Sequence, residues 1–265
     1  MPKSKVKVIR PQGSHFELGL REIWEYRELL YFLVWKQIKT KYKQSVLGIG
    51  WAIIQPLLLT FVFGYIFYGV AGLSTGGGVE AYAFLAAGLI LWTYFSGTLN
   101  SASLSLISNA NMITKIYFPR VLLPLSLVVA GLLDYAIASI LLVPMVLLSG
   151  EAFSTWAVFL FIPLVLTFLL SAGLSFWLSA VSAKYRDVQY IVPFGISIAM
   201  FASPILYPIT WAYNEPIKTL LNLNPLTGIF TSQRFFVFGR PDMDFSLLLY
   251  SALVTLAIFL TGLLY

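Results

Sequence analysis

One carboxylate and four clustered lysines are the charged residues of this chain that most need an explanation. Asp134 lies midway along an apolar run, where a charge costs roughly 2.5–3.5 kcal/mol on insertion scales. We expect its side chain to face protein or water and to find a partner. A single carboxylate is thin support for proton-driven transport. Four lysines precede the first apolar run, namely Lys36, Lys39, Lys41 and Lys43. The attraction of each lysine to anionic lipid headgroups contributes about 1 kcal/mol to membrane binding.

Catalytic and cofactor chemistry is not indicated by the sequence. With no cysteine and a single histidine, His15, thiolate zinc sites, iron–sulfur clusters and histidine metal sites are excluded. The glycines at 76–78 have no lysine after them, so no Walker A motif occurs. No carboxylate pair and no nucleophile with a base partner is recognisable. We therefore predict a protein that is not an enzyme, binds no cofactor itself and receives any energy from a separate subunit.

The composition places these residues in a membrane protein. Of 265 residues, 59% are apolar and 11% are charged, whereas soluble domains carry about 25% charged residues. A helix needs about 20 mostly apolar residues to cross a bilayer. The sequence therefore predicts an all-α integral membrane fold with six spans, at about 49–70, 81–106, 121–148, 155–182, 188–208 and 245–265. Residues 1–48 form a cytoplasmic tail and interface helix, and residues 49–265 form the transmembrane domain.

The distribution of basic residues predicts the orientation. With the amino terminus inside, the segments 1–48, 107–120 and 183–187 contain 14 of the 17 lysines and arginines. Because basic residues concentrate in cytoplasmic loops, both termini are expected in the cytoplasm. The net charge of +6 is then a membrane feature and gives no support for nucleic-acid binding.

Residues 19–44 read as an amphipathic helix on the membrane surface. Apolar residues recur at helical spacing, namely Leu20, Ile23, Trp24, Leu30, Tyr31, Val34, Trp35, Ile38 and Tyr42. This helix serves as a membrane anchor, or in addition captures an anionic lipid-linked substrate or docks a partner.

The outside segment 209–244 is too apolar for a disordered loop, and prolines divide it into short pieces. We expect half-helices that re-enter the membrane, a backbone arrangement tolerated where protein or a water-filled cavity surrounds it. The segment either caps a transport pathway or is an inert cap.

Aromatic residues crowd the first two predicted spans. Such rings can pack against the C–H faces of sugars, although interfacial belts and core or lipid-facing packing explain them equally. The candidates for a sugar pathway are Trp51, Phe61, Tyr65, Trp92, Tyr94 and Phe95.

Three runs, in this order and spacing, resemble the permease subunits of type-two ABC exporters, in the branch that exports O-antigen, capsule and teichoic-acid polymers. The first is 45–57, the second is 91–96 continuing to 109–120 and Pro124, and the third is 185–188 followed by 203–208 and 224–228. The similarity extends from about residue 16 to the end. O-antigen export is the closest-looking activity, and capsule and teichoic-acid exporters share the same patterns.

The resemblance implies a homodimer in the bacterial inner membrane, with two copies of a separate ATPase subunit that binds ATP and magnesium. It implies a polyprenyl-pyrophosphate-linked glycan as cargo, with its headgroup recruited near Lys36, Lys39, Lys41 and Lys43. The implied ATPase-coupling residues are Ser108, Asn109, Asn111, Lys115, Pro119, Arg120, Tyr185, Arg186 and Asp187. The implied periplasmic gate contains Pro204, Tyr207, Pro208, Asn224 and Pro225.

Three rival functions stay open on the sequence alone. One is an ABC exporter of small hydrophobic molecules. Another is an ion-coupled carrier or lipid scramblase that needs no ATPase. The third is a membrane scaffold without transport.

Overall fold

Helices form the regular structure of this chain. The computed structural model describes residues 20–43, 45–72, 79–150, 153–209, 214–239 and 243–265, and no strand occurs among them. His15 and the glycine run at 76–78 lie outside these residues. In chain order the helices are α1 (Leu20–Glu25), α2 (Arg27–Tyr42), α3 (Trp51–Gly64), α4 (Val79–Ser103), α5 (Ser105–Ser108), α6 (Ala110–Ile113), α7 (Leu122–Ser139), α8 (Leu142–Leu148), α9 (Phe161–Lys184), α10 (Val188–Phe201), α11 (Glu215–Leu223), α12 (Pro225–Phe238) and α13 (Phe245–Leu264).

Five helical stretches of the described chain are long and apolar enough to cross a membrane. They are Gly48–Val70, Val79–Ser103, Leu122–Leu148, Thr155–Lys184 and Phe245–Leu264. These agree with five of the six predicted spans, and the second ends at Ser103 instead of continuing to 106. The all-α prediction is confirmed.

The predicted span at 188–208 contains a shorter helix. α10 has 14 residues, so it extends about 21 Å at 1.5 Å per residue. The helix ends at Phe201, and a turn with Pro204 and Pro208 follows. A residue before proline is disfavoured in the helical region, and proline itself cannot donate to a continuing helix.

α4 lies at the centre of the bundle. Within its most apolar stretch 78% of the residues are buried, against 17% in the first and last spans. It contacts α3, α7, α8, α9, α10 and α12. The second predicted span is therefore the core that positions the other helices.

Glycines let neighbouring helices approach closely. A Cβ atom at Gly173 of α9 would lie 2.7 Å from the Cα of Phe259 in α13, and one at Gly262 would lie 2.5 Å from the Gly173 carbonyl oxygen. In a bilayer, the association of helices depends on close packing, which small residues at the crossing permit. The α9–α13 pair is therefore held at backbone contact.

Candidate functional site

α2 packs lengthwise against α7, and the two helices run in the same direction. Near its middle, Leu33 is 1% exposed and belongs to a small apolar cluster with Phe118, Leu122 and Leu123. At its end, Lys41 and Tyr42 both reach Asp134. The two contacts are about 18 Å apart along α7, since a helix rises 1.5 Å per residue.

The buried face of α1 and α2 contains predicted apolar residues, Ile23 and Leu30, together with one that the prediction omitted. Leu33, which the predicted apolar face omitted, is the most buried residue of α2. Trp24, Tyr31 and Trp35 are exposed, by 71%, 72% and 47%. α2 is therefore apolar on two sides, and one of them packs against α7. The exposed aromatic side remains available to lipid or to another protein.

Asp134 has the partners that its apolar setting required. It forms an ion pair with Lys41 and accepts a hydrogen bond from the Tyr42 hydroxyl. Burial raises the pKa of Tyr42, and the Asp134 carboxylate raises it further, so the phenol keeps its proton and stays a donor. The side chains of Lys41 and Asp134 are 60% and 22% exposed, so water reaches this pair.

A cavity of about 550 Å³ opens beside this pair, between α2, α3, α4, α5 and α7. It lies where the chain turns from α2 into the first long apolar stretch, because Lys41, Tyr42 and Trp51 line it together. Its volume falls within the range of small-molecule sites, roughly 300–1,000 Å³.

One wall of the cavity is a stripe of small polar residues on α4 and α5. Thr93, Gly97, Ser101, Ser105 and Asn109 follow one another at intervals of four, and all of them line the cavity. The side-chain hydroxyls of Thr93 and Ser101 donate to backbone carbonyls of their own helix. The Ser105 hydroxyl is 2% exposed and has no hydrogen-bond partner. This wall of the cavity is therefore polar.

The four predicted headgroup lysines separate into two pairs. Lys36 and Lys41 line the cavity. Lys39 lies 5.3 Å from the ring centre of Trp35, on the exposed side of α2. Lys43 follows the last residue of α2 and is exposed outside the cavity.

The six aromatic candidates also occupy different environments. Trp51 and Tyr94 line the cavity. Trp92 and Phe95 are buried in the core, with Trp92 6.4 Å from Phe230 of α12 between ring centres. On the first span, Gly48–Val70, the residues Phe61 and Tyr65 are 56% and 66% exposed on the outer surface of the chain.

The predicted coupling residues lie at one end of the bundle. α5 contacts α9, so the segment after α4 and the turn after α9 are neighbours. Ser108 and Asn109 line the cavity, and Pro119 is half-buried. The exposed members are Asn111, Lys115, Arg120, Tyr185, Arg186 and Asp187.

The predicted gate residues meet at the opposite end. Asn224 caps α12 by accepting a hydrogen bond from the Leu226 amide, while its side-chain nitrogen donates to Ser203 Oγ at 2.8 Å. Pro225 occupies the first position of α12, and Tyr207 donates to the Phe201 carbonyl at 3.0 Å. Pro204 accepts a hydrogen bond from Arg234, which the sequence reasoning missed. Pro208 ends the same turn.

Arg234 is the polar anchor of this end. Only 6% of it is exposed, and its guanidinium donates to the carbonyls of Pro204 and Ile205. It also stacks over Phe84 of α4, 3.6 Å from the ring centre. An arginine directly before the apolar run 235–238 was the signal in the sequence, because a charge drawn into an apolar core needs buried partners.

α11 and α12 form a hairpin whose turn lies part of the way along the side of the bundle. Phe235 of α12 packs against Phe245 at the start of α13, with ring centres 6.2 Å apart. A Cβ atom at Gly228 would lie 2.7 Å from the Leu247 carbonyl oxygen. At the turn, the Leu223 carbonyl accepts from Tyr250, five residues or about 7.5 Å inside α13. α12 therefore runs from the level of Tyr250 toward the end of the bundle at which α13 begins.

The sequence of this chain is similar to the sequences of known proteins. Residues 28–238 match the ABC-2 type transporter family. The chain belongs to that family. As an ABC-2 permease it is a multi-pass membrane transporter subunit rather than an enzyme, and membership implies a partner ATPase. The resemblance seen in the three sequence runs is thereby confirmed.

Curated ABC-2 relatives cover nearly the whole chain. An O-antigen export system permease protein, RfbA from Myxococcus xanthus, is 32% identical over 232 residues, which cover 85% of this chain and 86% of the relative. RfbA from Klebsiella pneumoniae is 29% identical over 230 residues, covering 84% and 85%. The polysialic acid transport protein KpsM from Escherichia coli is 28% identical over 240 residues, covering 86% and 88%.

Across the described residues, no group of three or more histidine, cysteine, aspartate or glutamate side chains could hold a metal ion.

Proposed function

We propose that this ABC-2 permease exports a polyprenyl-pyrophosphate-linked polysaccharide, such as O-antigen, from the cytoplasm to the periplasm. The observation that carries the proposal is the basic, hydroxyl-lined cavity in a chain whose relatives include O-antigen export permeases. A cavity with lysines and hydroxyls suits a phosphate joined to a sugar better than it suits an apolar drug.

The proposed topology has six crossings and both termini in the cytoplasm of the inner membrane. α10 and the turn at 202–208 together make the fifth crossing, in which the short helix is completed by protein-surrounded backbone. The concentration of 14 of 17 basic residues in the segments 1–48, 107–120 and 183–187 supports this orientation. Residues 1–48 are then the cytoplasmic tail and interface helix, and 49–265 the transmembrane domain.

Cargo enters at the cavity beside α2 in this proposal. Lys36 and Lys41 receive the pyrophosphate headgroup, because both lysines line the cavity. Lys39 and Lys43 lie outside it and instead hold the helix against anionic lipid headgroups.

The glycan passes between two copies of the chain. One bundle leaves no open channel through its core, since Trp92 and Phe95 are buried there. On the first span, by contrast, Trp51, Phe61 and Tyr65 are exposed at spacings that share one face. A two-fold dimer that joins these faces would line a conduit with aromatic rings. Tyr94 would back this wall from α4.

ATP hydrolysis acts through the exposed end of the bundle. Two copies of the partner ATPase, which hold ATP and magnesium, contact the segments around Asn111, Lys115 and Arg120 and the turn at Tyr185–Asp187. The apolar cluster of Leu33, Phe118 and Leu122 joins the first segment to α2. Movement of the coupling segment would therefore reach the cavity.

The hairpin of α11 and α12 is the proposed periplasmic gate. Ten of the fourteen residues of α12 are buried, which suits a re-entrant helix surrounded by protein. Asn224 and Arg234 fix the hairpin to the turn around Pro204, so the gate and the fifth crossing would move together.

Measuring which compounds stimulate ATP hydrolysis by the complex distinguishes the candidate polymers from the rival functions. The similarity to KpsM keeps a capsule-type polymer as the second candidate. The complex should co-purify with an ATPase and hydrolyse ATP faster with its polyprenyl-pyrophosphate glycan. Stimulation by hydrophobic drugs, with none by glycolipid, would favour a small-molecule exporter. Transport without any ATPase would favour a carrier or scramblase.

A further inference from the structure

The cavity beside α2 already contains an anion, the Asp134 carboxylate. Lys36, Lys41 and Asp134 line it together, and Asp134 is paired with Lys41. The lysine that an incoming anion would need is thus held by a residue of the same chain, 93 positions away.

We propose that the cavity binds a phosphate-type anion and that Asp134 is an exchangeable counter-ion, which holds Lys41 until the anion takes its place. This inference rests on the proposed function and deepens it, because it names the residue that sets the affinity for the headgroup. Nothing in the family match or in the relatives' names assigns this role.

The groups around the pair fit a phosphate. The lining includes the exposed hydroxyl-bearing residues Ser101 and Ser108. Lys36 adds a second cation. Tyr42, protonated and bonded to Asp134, becomes a free donor when that bond opens. A diphosphate has enough acceptor oxygens to use these donors at once.

The Lys41–Asp134 ion pair can be opened at little energetic cost. With 60% of Lys41 and 22% of Asp134 exposed, water screens the attraction between them, and ion pairs of this kind contribute little to stability. A diphosphate carries more negative charge than one carboxylate, so it attracts the lysine more strongly. Exchange therefore favours a highly charged headgroup over a neutral sugar or a weakly charged lipid.

Release gives the carboxylate a second role. When the headgroup leaves, Asp134 can recapture Lys41, and this recapture competes with rebinding of the cargo. The end of α2 is then joined to α7 again through Lys41 and Asp134, while the apolar cluster around Leu33 holds the middle of α2. In the empty cavity Lys41 would thus be neutralised by Asp134, and Lys36 would remain as the unpaired cation of the lining among the described residues.

Binding of a defined probe to the full chain in lipid nanodiscs, together with its ATPase, tests this. Farnesyl diphosphate is the probe, and farnesol is its uncharged counterpart. Asp134→Asn should tighten farnesyl diphosphate binding by about tenfold at low salt, a change of about 1.4 kcal/mol, and leave farnesol binding unchanged. Lys41→Gln should weaken diphosphate binding, and the double variant should lose the gain.

Lys39→Gln is the matched control, because it removes the same charge from the same helix outside the cavity. It should leave the probe affinity unchanged. Inorganic pyrophosphate separates two sources of the anion. Competition by pyrophosphate supports recognition of the free anion, whereas binding of the prenylated form alone supports a lipid-borne headgroup.

Unchanged or weaker diphosphate binding in Asp134→Asn would overturn the inference, as would equal weakening by Lys39→Gln and Lys41→Gln. Asp134→Ser repeats the charge removal with a smaller side chain. Should neither variant fold, the carboxylate is a structural tie and not an exchangeable one. These failures leave export by the wild-type complex intact, so they are distinct from failure of the proposed function.

Discussion

The side-chain nitrogen of Asn224 donates a 2.8 Å hydrogen bond to Ser203, and its side-chain oxygen caps α12 by accepting from the Leu226 amide. One side chain thus fixes the turn of the hairpin to the turn after α10. Pro225 adds a preset first helical residue, a position where proline's missing amide hydrogen costs nothing.

Asn224→Ala should lower the unfolding free energy of the permease by about 1–3 kcal/mol, because it removes a helix cap and a tie between two segments. Thermal unfolding in detergent, followed by tryptophan fluorescence, measures the change. Asn214→Ala is the control, since Asn214 precedes α11 but its side chain makes no capping bond. Equal destabilisation by the two variants would contradict the anchoring role of Asn224.

Arg234→Lys should destabilise the same end of the bundle despite preserving the charge. A lysine cannot present two planar donors to the carbonyls of Pro204 and Ile205, and hydrogen bonds from charged groups contribute about 1.5–3 kcal/mol. The loss should appear as a lower melting temperature and faster proteolysis after α10. Arg186→Lys, at an exposed position, should change neither. If Arg234→Lys is as stable as the wild type, the two planar donors of the guanidinium do not stabilise this end of the bundle.

Much of the fold follows from the sequence because a bilayer leaves few alternatives. Apolar length alone locates five spans, and the motif around Asn224 and Pro225 indicates a helix start. α10 could not be separated from the turn at 202–208, because hydropathy averages over helix and coil alike. The burial of Arg234 was signalled only by its apolar neighbours.

The site was less predictable because its parts meet only in three dimensions. The apolar pattern of α2 fits two faces, and contact with Phe118 and Leu122 decided for Leu33. Asp134 needed a partner by electrostatics, but nothing local to it indicates Lys41. The division of the lysines into cavity and surface pairs likewise depends on how α2 packs against α7.

Gly97→Leu tests the cavity as the cargo site. A Cβ atom at Gly97 meets nothing within 4 Å, so the leucine side chain can enter the cavity without a clash. Glycolipid export should fall by roughly tenfold or more, the factor that corresponds to about 1.4 kcal/mol of lost binding, while folding is preserved. Gly195→Leu is the control, because Gly195 is an exposed helix glycine with the same open surroundings. Normal export by Gly97→Leu would exclude this cavity from the path.

Arg186→Ala tests the coupling end. The residue is exposed in the turn between α9 and α10, where an ATPase could contact it. We expect the complex to retain ATP hydrolysis and to export less glycolipid per ATP, since the contact transmits force and does not bind nucleotide. Lys218→Ala removes one exposed cation from α11 at the opposite end and should leave this ratio unchanged. A lower ratio in both variants would indicate a general charge effect.

Export into sealed vesicles is the measurement that tests the central claim most directly. The permease and its ATPase are reconstituted, and arrival of polyprenyl-pyrophosphate-linked glycan on the far side is followed with and without ATP. The account predicts export that needs both proteins and hydrolysable ATP. Glycan that stays behind during ATP turnover, or that crosses with the permease alone, would contradict it.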